Sequence, residues 1–143
     1  MATIKSATTS FVGADRGARW ADFIAKAHVL LLQADRARKD GVWDQALELA
    51  YQAGLRTAGA CIADSDVAKR RRRSSSAWAQ LRLVDDRGAQ WATAFEHYSL
   101  LRSRVASGIE RSLDPRLVDH IIALAGEFIA EVEADAGSFG VAA

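Results

Sequence analysis

The sequence predicts an all-α protein, an up-and-down bundle of four long helices plus one short helix. Three observations carry that expectation. Apolar residues recur at steps of three and four in five stretches, and no segment alternates with the period of two that marks a strand. The chain has a single proline, Pro115, so most of its length is free of the strongest helix breaker. Half the residues are apolar and 26% are charged, which suits a packed core rather than disorder. A length of 143 residues fits one domain. The expected organisation is a flexible tail over 1–15, a helical domain over 16–136 and a second flexible tail over 137–143.

The first helix is expected from about Arg16 to Arg38, with Trp20, Phe23, Ile24, Ala27, Leu31 and Ala34 on one face and Leu30 and Leu32 widening it. His28, beside Ile24, Leu31 and Leu32, reads as a histidine at the core margin. Gly41 suits the left-handed residue that follows a helix end, and so short a turn makes the next helix an antiparallel neighbour. That second helix, Val42 to Asp64, organises the rest. Trp43, Leu47, Ala50, Tyr51, Gly54, Ala58, Cys61 and Ile62 line one face, while Ala46, Ala53, Gly59, Ala60 and Ala63 admit close neighbours elsewhere. At 1.5 Å per residue it spans about 33 Å, the length of a small domain. Only Gln45, Glu48, Gln52 and Arg56 form a polar stripe.

A charged connection, Ser65 to Arg73, shows no apolar periodicity. Ser74 to Ser76 are N-cap candidates for a short third helix, Ala77 to Val84, anchored by Trp78 and Leu81. Asp85 or Asp86 can cap a fourth helix from Arg87 to Glu110, with Trp91, Ala94, Phe95, Tyr98, Leu101 and Val105 as its stripe. Asp114 followed by Pro115 starts the last helix: a capping carboxylate, then proline where no N–H is needed. Its faces are Leu117, Ile121, Leu124, Ala125, Phe128 and Val132, and Val118, Ile122 and Ile129, with Gly137 as the stop.

Net charge is +1, but Lys69 to Arg73 contribute +5 and the stretch from Arg111 onward contributes −4. A broad basic nucleic-acid face is therefore excluded, while a local basic loop is plain. The lone Cys61 forms no internal disulfide and offers no metal cluster; on an apolar face it reads as a small core residue. The first fifteen residues lack the charged start and apolar run of a signal peptide, and nothing reaches the roughly 18 apolar residues of a membrane span. A cytoplasmic protein is expected. No phosphate-binding glycine loop, zinc-ligand spacing or Ser/His/Asp order is present, so no cofactor or metal is expected.

The order of signals resembles a known family. A tyrosine-bearing, alanine-rich helix with Leu55-Arg56 precedes an arginine run, then Ser76-Ala77-Trp78, then Trp91 and Phe95. This resembles the small actinobacterial branch of the HEPN superfamily (higher eukaryotes and prokaryotes nucleotide-binding domain), the branch with the Ser-Ala-Trp signature, over residues 20–135. The resemblance implies a four-helix core, frequent dimers, association with RNA or nucleotides, and in many members metal-independent ribonuclease activity beside a nucleotidyltransferase-type partner. It also implies the family chemistry: an arginine followed after four to six residues by a histidine, the one stabilising phosphate charge and the other moving a ribose proton.

The sequence departs from that motif. Five to seven positions before His28, His97 and His120 stand Ala21-Asp22-Phe23, Gln90-Trp91-Ala92 and Leu113-Asp114-Pro115. Two displaced pairs remain: Arg116 with His120 one turn apart, and His97 with Arg104 in reversed order. The reading is thus a non-catalytic, dimeric module that binds RNA, a nucleotide or a protein partner, with Arg56, Lys69, Arg70, Arg71, Arg72 and Arg73 as phosphate contacts. A ribonuclease using a displaced pair and a structural adaptor are the alternatives. The dimer is expected on the second and last helices, whose apolar surface looks too extensive for one chain to cover.

Overall fold

A computed structural model describes residues 2–142, with side chains described over 16–136. The elements are α1 (Ala2–Lys39), α2 (Trp43–Ala63), a 3-10 turn (Asp66–Lys69), α3 (Ala77–Arg82), α4 (Asp86–Glu96), α5 (Ser99–Ala106) and α6 (Pro115–Ala142). Among the described residues there is no strand. The side chains of 1–15 and 137–143, where flexible tails are expected, lie outside the described part, but the backbone of α1 begins at Ala2 rather than near Arg16 and that of α6 runs past Gly137 to Ala142.

The bundle is built around α2, which touches α1, α3, α4, α5, α6 and the 3-10 turn. Alanine and glycine on most of its circumference make this possible. Ala46, Ala50, Ala53, Gly54, Ala58, Ala60 and Ala63 are all buried, alongside Leu47, Tyr51 and Ile62. Gly54 faces the Phe95 ring so closely that a Cβ there would collide with it. Gln45 and Arg56 remain exposed and Glu48 and Gln52 half-buried, so the polar stripe read from the sequence is the solvent edge of the helix. Gly41 has φ +75°, the left-handed turn residue that reverses the chain between α1 and α2.

Aromatic rings fill the space between α2, α3, α4 and α6. Phe95 is fully buried, stacked on Trp78 with centroids 5.1 Å apart and tilted against Phe128 at 5.7 Å. Trp91 also stacks on Phe128, at 4.7 Å, and its indole N–H donates to Glu131. Caps fix the helix starts: Ser76 accepts from the Ala79 amide at 3.3 Å, Asp85 from Gly88 at 2.6 Å and Asp114 from Arg116 at 2.9 Å.

Several expectations need correction. The fourth helix is broken at His97–Tyr98 into α4 and α5, although neither glycine nor proline stands there. Side chains redirect it: the Tyr98 hydroxyl bonds His120 on α6, while Ser99 bonds Tyr51 on α2 at 2.8 Å. Leu32 does not widen the α1 core stripe. It is 71% exposed, since about 100° per residue carries it past Leu31 to the outer face. His28 is exposed as well, and its Nε2 pairs with Glu133 of α6 at 2.7 Å. The connection after α2, although without apolar periodicity, buries Val67 in the 3-10 turn. Much of the apolar surface of α6 is covered within the chain: Val118 and Ile129 on one face, and Ile121, Ala125 and Phe128 on the other, are buried, while Leu117 stays 38% exposed.

Candidate functional site

The basic loop is held at both ends. Before it, the Ser65 hydroxyl donates to the Ile62 carbonyl at 2.7 Å and accepts from the Val67 amide, and Val67 is driven into the core. After it, Ser76 caps α3 and Trp78 and Leu81 sink under α2 and α4. Ser74 tightens the exit, accepting from the Ser76 amide at 3.1 Å while its carbonyl accepts from Gln80 at 2.6 Å. Between these anchors Arg70, Arg71, Arg72 and Arg73 are all exposed, and among the described residues none meets a carboxylate. Lys69 lies 3.9 Å from Asp66.

Arg56 is exposed on α2, two turns before that helix ends, and lines a groove between α1 and α2. Arg104 lies elsewhere. It belongs to α5, whose Arg102 meets Glu48 near the start of α2, and Glu48 is fifteen helical residues, about 22 Å, from Ala63. The fold thus places the loop after one end of α2, and α5 with Arg104 toward the other, with Arg56 between them.

The displaced pairs do not assemble as pairs. His97 closes α4 and Arg104 lies in α5, and among the described residues no hydrogen bond or ring contact joins them. Arg116 is 91% exposed, with Nε 3.6 Å from Asp114, whereas His120 directs Nδ1 to the Tyr98 hydroxyl. Both imidazoles instead meet Tyr98: His97 is edge-on to its ring at 5.5 Å, and the His120 ring lies 5.9 Å away. Burial holds the Tyr98 phenol above its ordinary pKa, so it stays protonated and can donate.

A second polar network was not foreseen. Arg102 makes a two-pronged ion pair with Glu48, Nε to Oε2 at 2.6 Å and Nη2 to Oε1 at 2.7 Å, and lies 4.7 Å over the Tyr51 ring. The Tyr51 hydroxyl in turn receives the Trp78 indole N–H at 2.8 Å and bonds Ser99. Its signal in the sequence was Glu48 within the polar stripe of α2, but the partner lies 54 residues away, beyond the reach of helical spacing. Arg102 holds the Glu48 carboxyl below its usual range, aided by the Gln52 amide and opposed by burial.

Cys61 is half-buried, and burial, with Asp85, Asp135 and Asp64 adding to it, pushes its thiol pKa up to about 12. Such a thiol is a poor nucleophile. Among the described residues, no group of three or more His, Cys, Asp or Glu is arranged to hold a metal ion. None of the described helices is long and apolar enough to cross a membrane.

These features define an α-helical domain that offers a fixed cationic loop beside a capped Ser-Ala-Trp helix. The sequence model of the SAV_6107-like HEPN family matches residues 34–133, some seven-tenths of the chain, and the chain belongs to that family. No curated protein matches it.

Proposed function

We propose that this chain is a non-catalytic, dimeric HEPN module of the cytoplasm that binds RNA through the Lys69–Arg73 loop and serves as an accessory or regulatory domain. The observation that carries this reading is the state of Arg70 to Arg73: contiguous, exposed, and without a carboxylate among the described residues. Guanidinium groups left unsatisfied by protein suit phosphate oxygens, which accept paired N–H bonds. The loop has no aromatic residue, so it would place a strand without reading its bases. Arg56 lies on the same half of α2 but lines the groove between α1 and α2. The family setting adds a nucleotidyltransferase-type or other protein as companion.

The non-catalytic part rests on the missing arginine–histidine spacing and on Arg116 turning to Asp114 rather than to His120. One observation favours the enzyme alternative: two exposed histidines, His97 and His120, converge on a single tyrosine. RNA binding and cleavage measured together, with and without EDTA, separate the readings. Replacing Arg70 to Arg73 with serine is expected to weaken binding alike for every sequence. It should also flatten the salt dependence, by roughly 0.7 in the log–log slope per lost contact on a single strand. An unchanged affinity and slope would leave the structural adaptor. Cleavage abolished by His97→Ala or His120→Ala would establish the ribonuclease. Light scattering checks the dimer, which should give twice the chain mass of 15.5 kDa.

A further inference from the structure

A shallow groove runs between α1 and α2 on the side away from α6. Two adjoining hollows of about 350 and 310 Å³ share Gln33 and follow the two antiparallel helices from Lys26 to Asp40 and from Arg56 back to Gln45. On α2 it is lined by Gln45, Leu49, Gln52 and Arg56, eleven helical steps or about 16 Å, while Glu48 turns away to Arg102. The floor is aliphatic: Val29, 53% exposed, with Leu30 and Leu49 half-buried beside it. The rim carries the amides of Gln33, Gln45 and Gln52.

Charge is arranged unevenly along the rim. Lys26 is already paired with Asp22 at 2.9 Å. Arg56 at one end and Arg36 toward the other have no carboxylate partner among the described residues, and Asp40 is the one acid lining the groove. A long aliphatic trough with a free guanidinium toward each end complements a helix that is apolar on one face and acidic at its flanks. Single-stranded nucleic acid fits poorly, because bases need aromatic platforms for stacking and no aromatic side chain lines this trough.

We propose that the α1–α2 groove is a docking site for an acidic amphipathic helix of a partner protein. Its leucine-type side chains lie on Val29, Leu30 and Leu49, and its carboxylates engage Arg36 and Arg56. The site is separate from the basic loop and does not depend on what that loop binds.

The probe is a fluorescein-labelled peptide of about 15 residues, leucine at helical steps of three and four and glutamate elsewhere, long enough to cover the trough. Saturable anisotropy change is expected, with amide shifts confined to α1 and α2. The double variant Arg36→Glu/Arg56→Glu should weaken binding by about tenfold or more, and Val29→Asp should do so through the floor. All three positions are exposed, and unchanged melting curves verify that the variants fold. Arg70 to Arg73 replaced by serine should leave the peptide affinity unchanged, so failure here is distinguishable from failure of the loop to bind RNA. No saturable binding, or binding indifferent to both groove variants, overturns the proposal. An oligouridylate that competes for the groove would assign it to nucleic acid instead. Wild-type dimers that become monomers in the double variant would assign it to a second copy, and either result overturns the helix.

Discussion

α4 and α5 were one helix in the sequence and share one apolar stripe, yet they join the bundle by different means. α4 is attached by rings: Phe95 is fully buried against Trp78 and Phe128, and Trp91 stacks on Phe128 as well. α5 has no buried residue at all. It is held by the Arg102–Glu48 pair and the Ser99–Tyr51 hydrogen bond, with Leu101 and Val105 only half-buried. Attachment by buried area is shared with the whole core, so α4 should leave only when the domain unfolds. Attachment by a half-exposed ion pair is local and can open by itself.

The largest effect should come from removing the ring that joins both regions. Trp78→Ala takes away the stacking partner of Phe95 and the donor to Tyr51, and should cost about 3–5 kcal/mol in denaturant unfolding. Trp78→Phe keeps most of the area and loses the N–H, so about 1 kcal/mol is expected. A smaller, regional effect is expected from Glu48→Gln. Because the pair is about one-third exposed on either side, global stability should fall by less than about 1 kcal/mol. Amide exchange over residues 99–106 should nevertheless accelerate while that of 86–96 does not. Equal acceleration in both would erase the distinction between the two helices.

Acid sharpens the same contrast. The folded Glu48 carboxyl titrates below its ordinary 4.5, chiefly because Arg102 bonds its charged form. Its contribution is therefore complete above the unfolded value and is lost as pH falls through the folded one. Protection of the α5 amides, with exchange corrected for its intrinsic pH dependence, should fall as pH drops below about 4.5, and Glu48→Gln should remove that dependence. Smallest of all is the loop: serine at Arg70 to Arg73 should move folding stability by no more than about 0.5 kcal/mol, as four exposed side chains with no partner among the described residues are replaced.

The course of α2 was legible because alanine, glycine and leucine at helical steps encode proximity directly, and Gly41, Asp85, Ser76 and Asp114-Pro115 announce turns and caps by local chemistry. The break at His97–Tyr98 was not. Its causes are His120 and Tyr51, 22 and 48 residues from their partners Tyr98 and Ser99. Tertiary contacts override a continuous helical pattern there. Val67 was missed for a simpler reason: one apolar residue among charges has no periodicity, although the fold buries it. Of the candidate site, Arg56 and the arginine run could be read as exposed cations. Their separation from Arg104, and the meeting of His97 and His120 at Tyr98, arise only from how the helices are stacked.

Anchoring the arginine run at Val67 and Trp78 also orders it before any ligand arrives. A polyanion that binds the folded loop therefore meets a smaller entropic cost than one that binds the same run in the unfolded chain, and favours the folded state. Ligand and fold are then linked: occupancy of the loop should raise the melting temperature, and the rise should shrink as salt screens the charges.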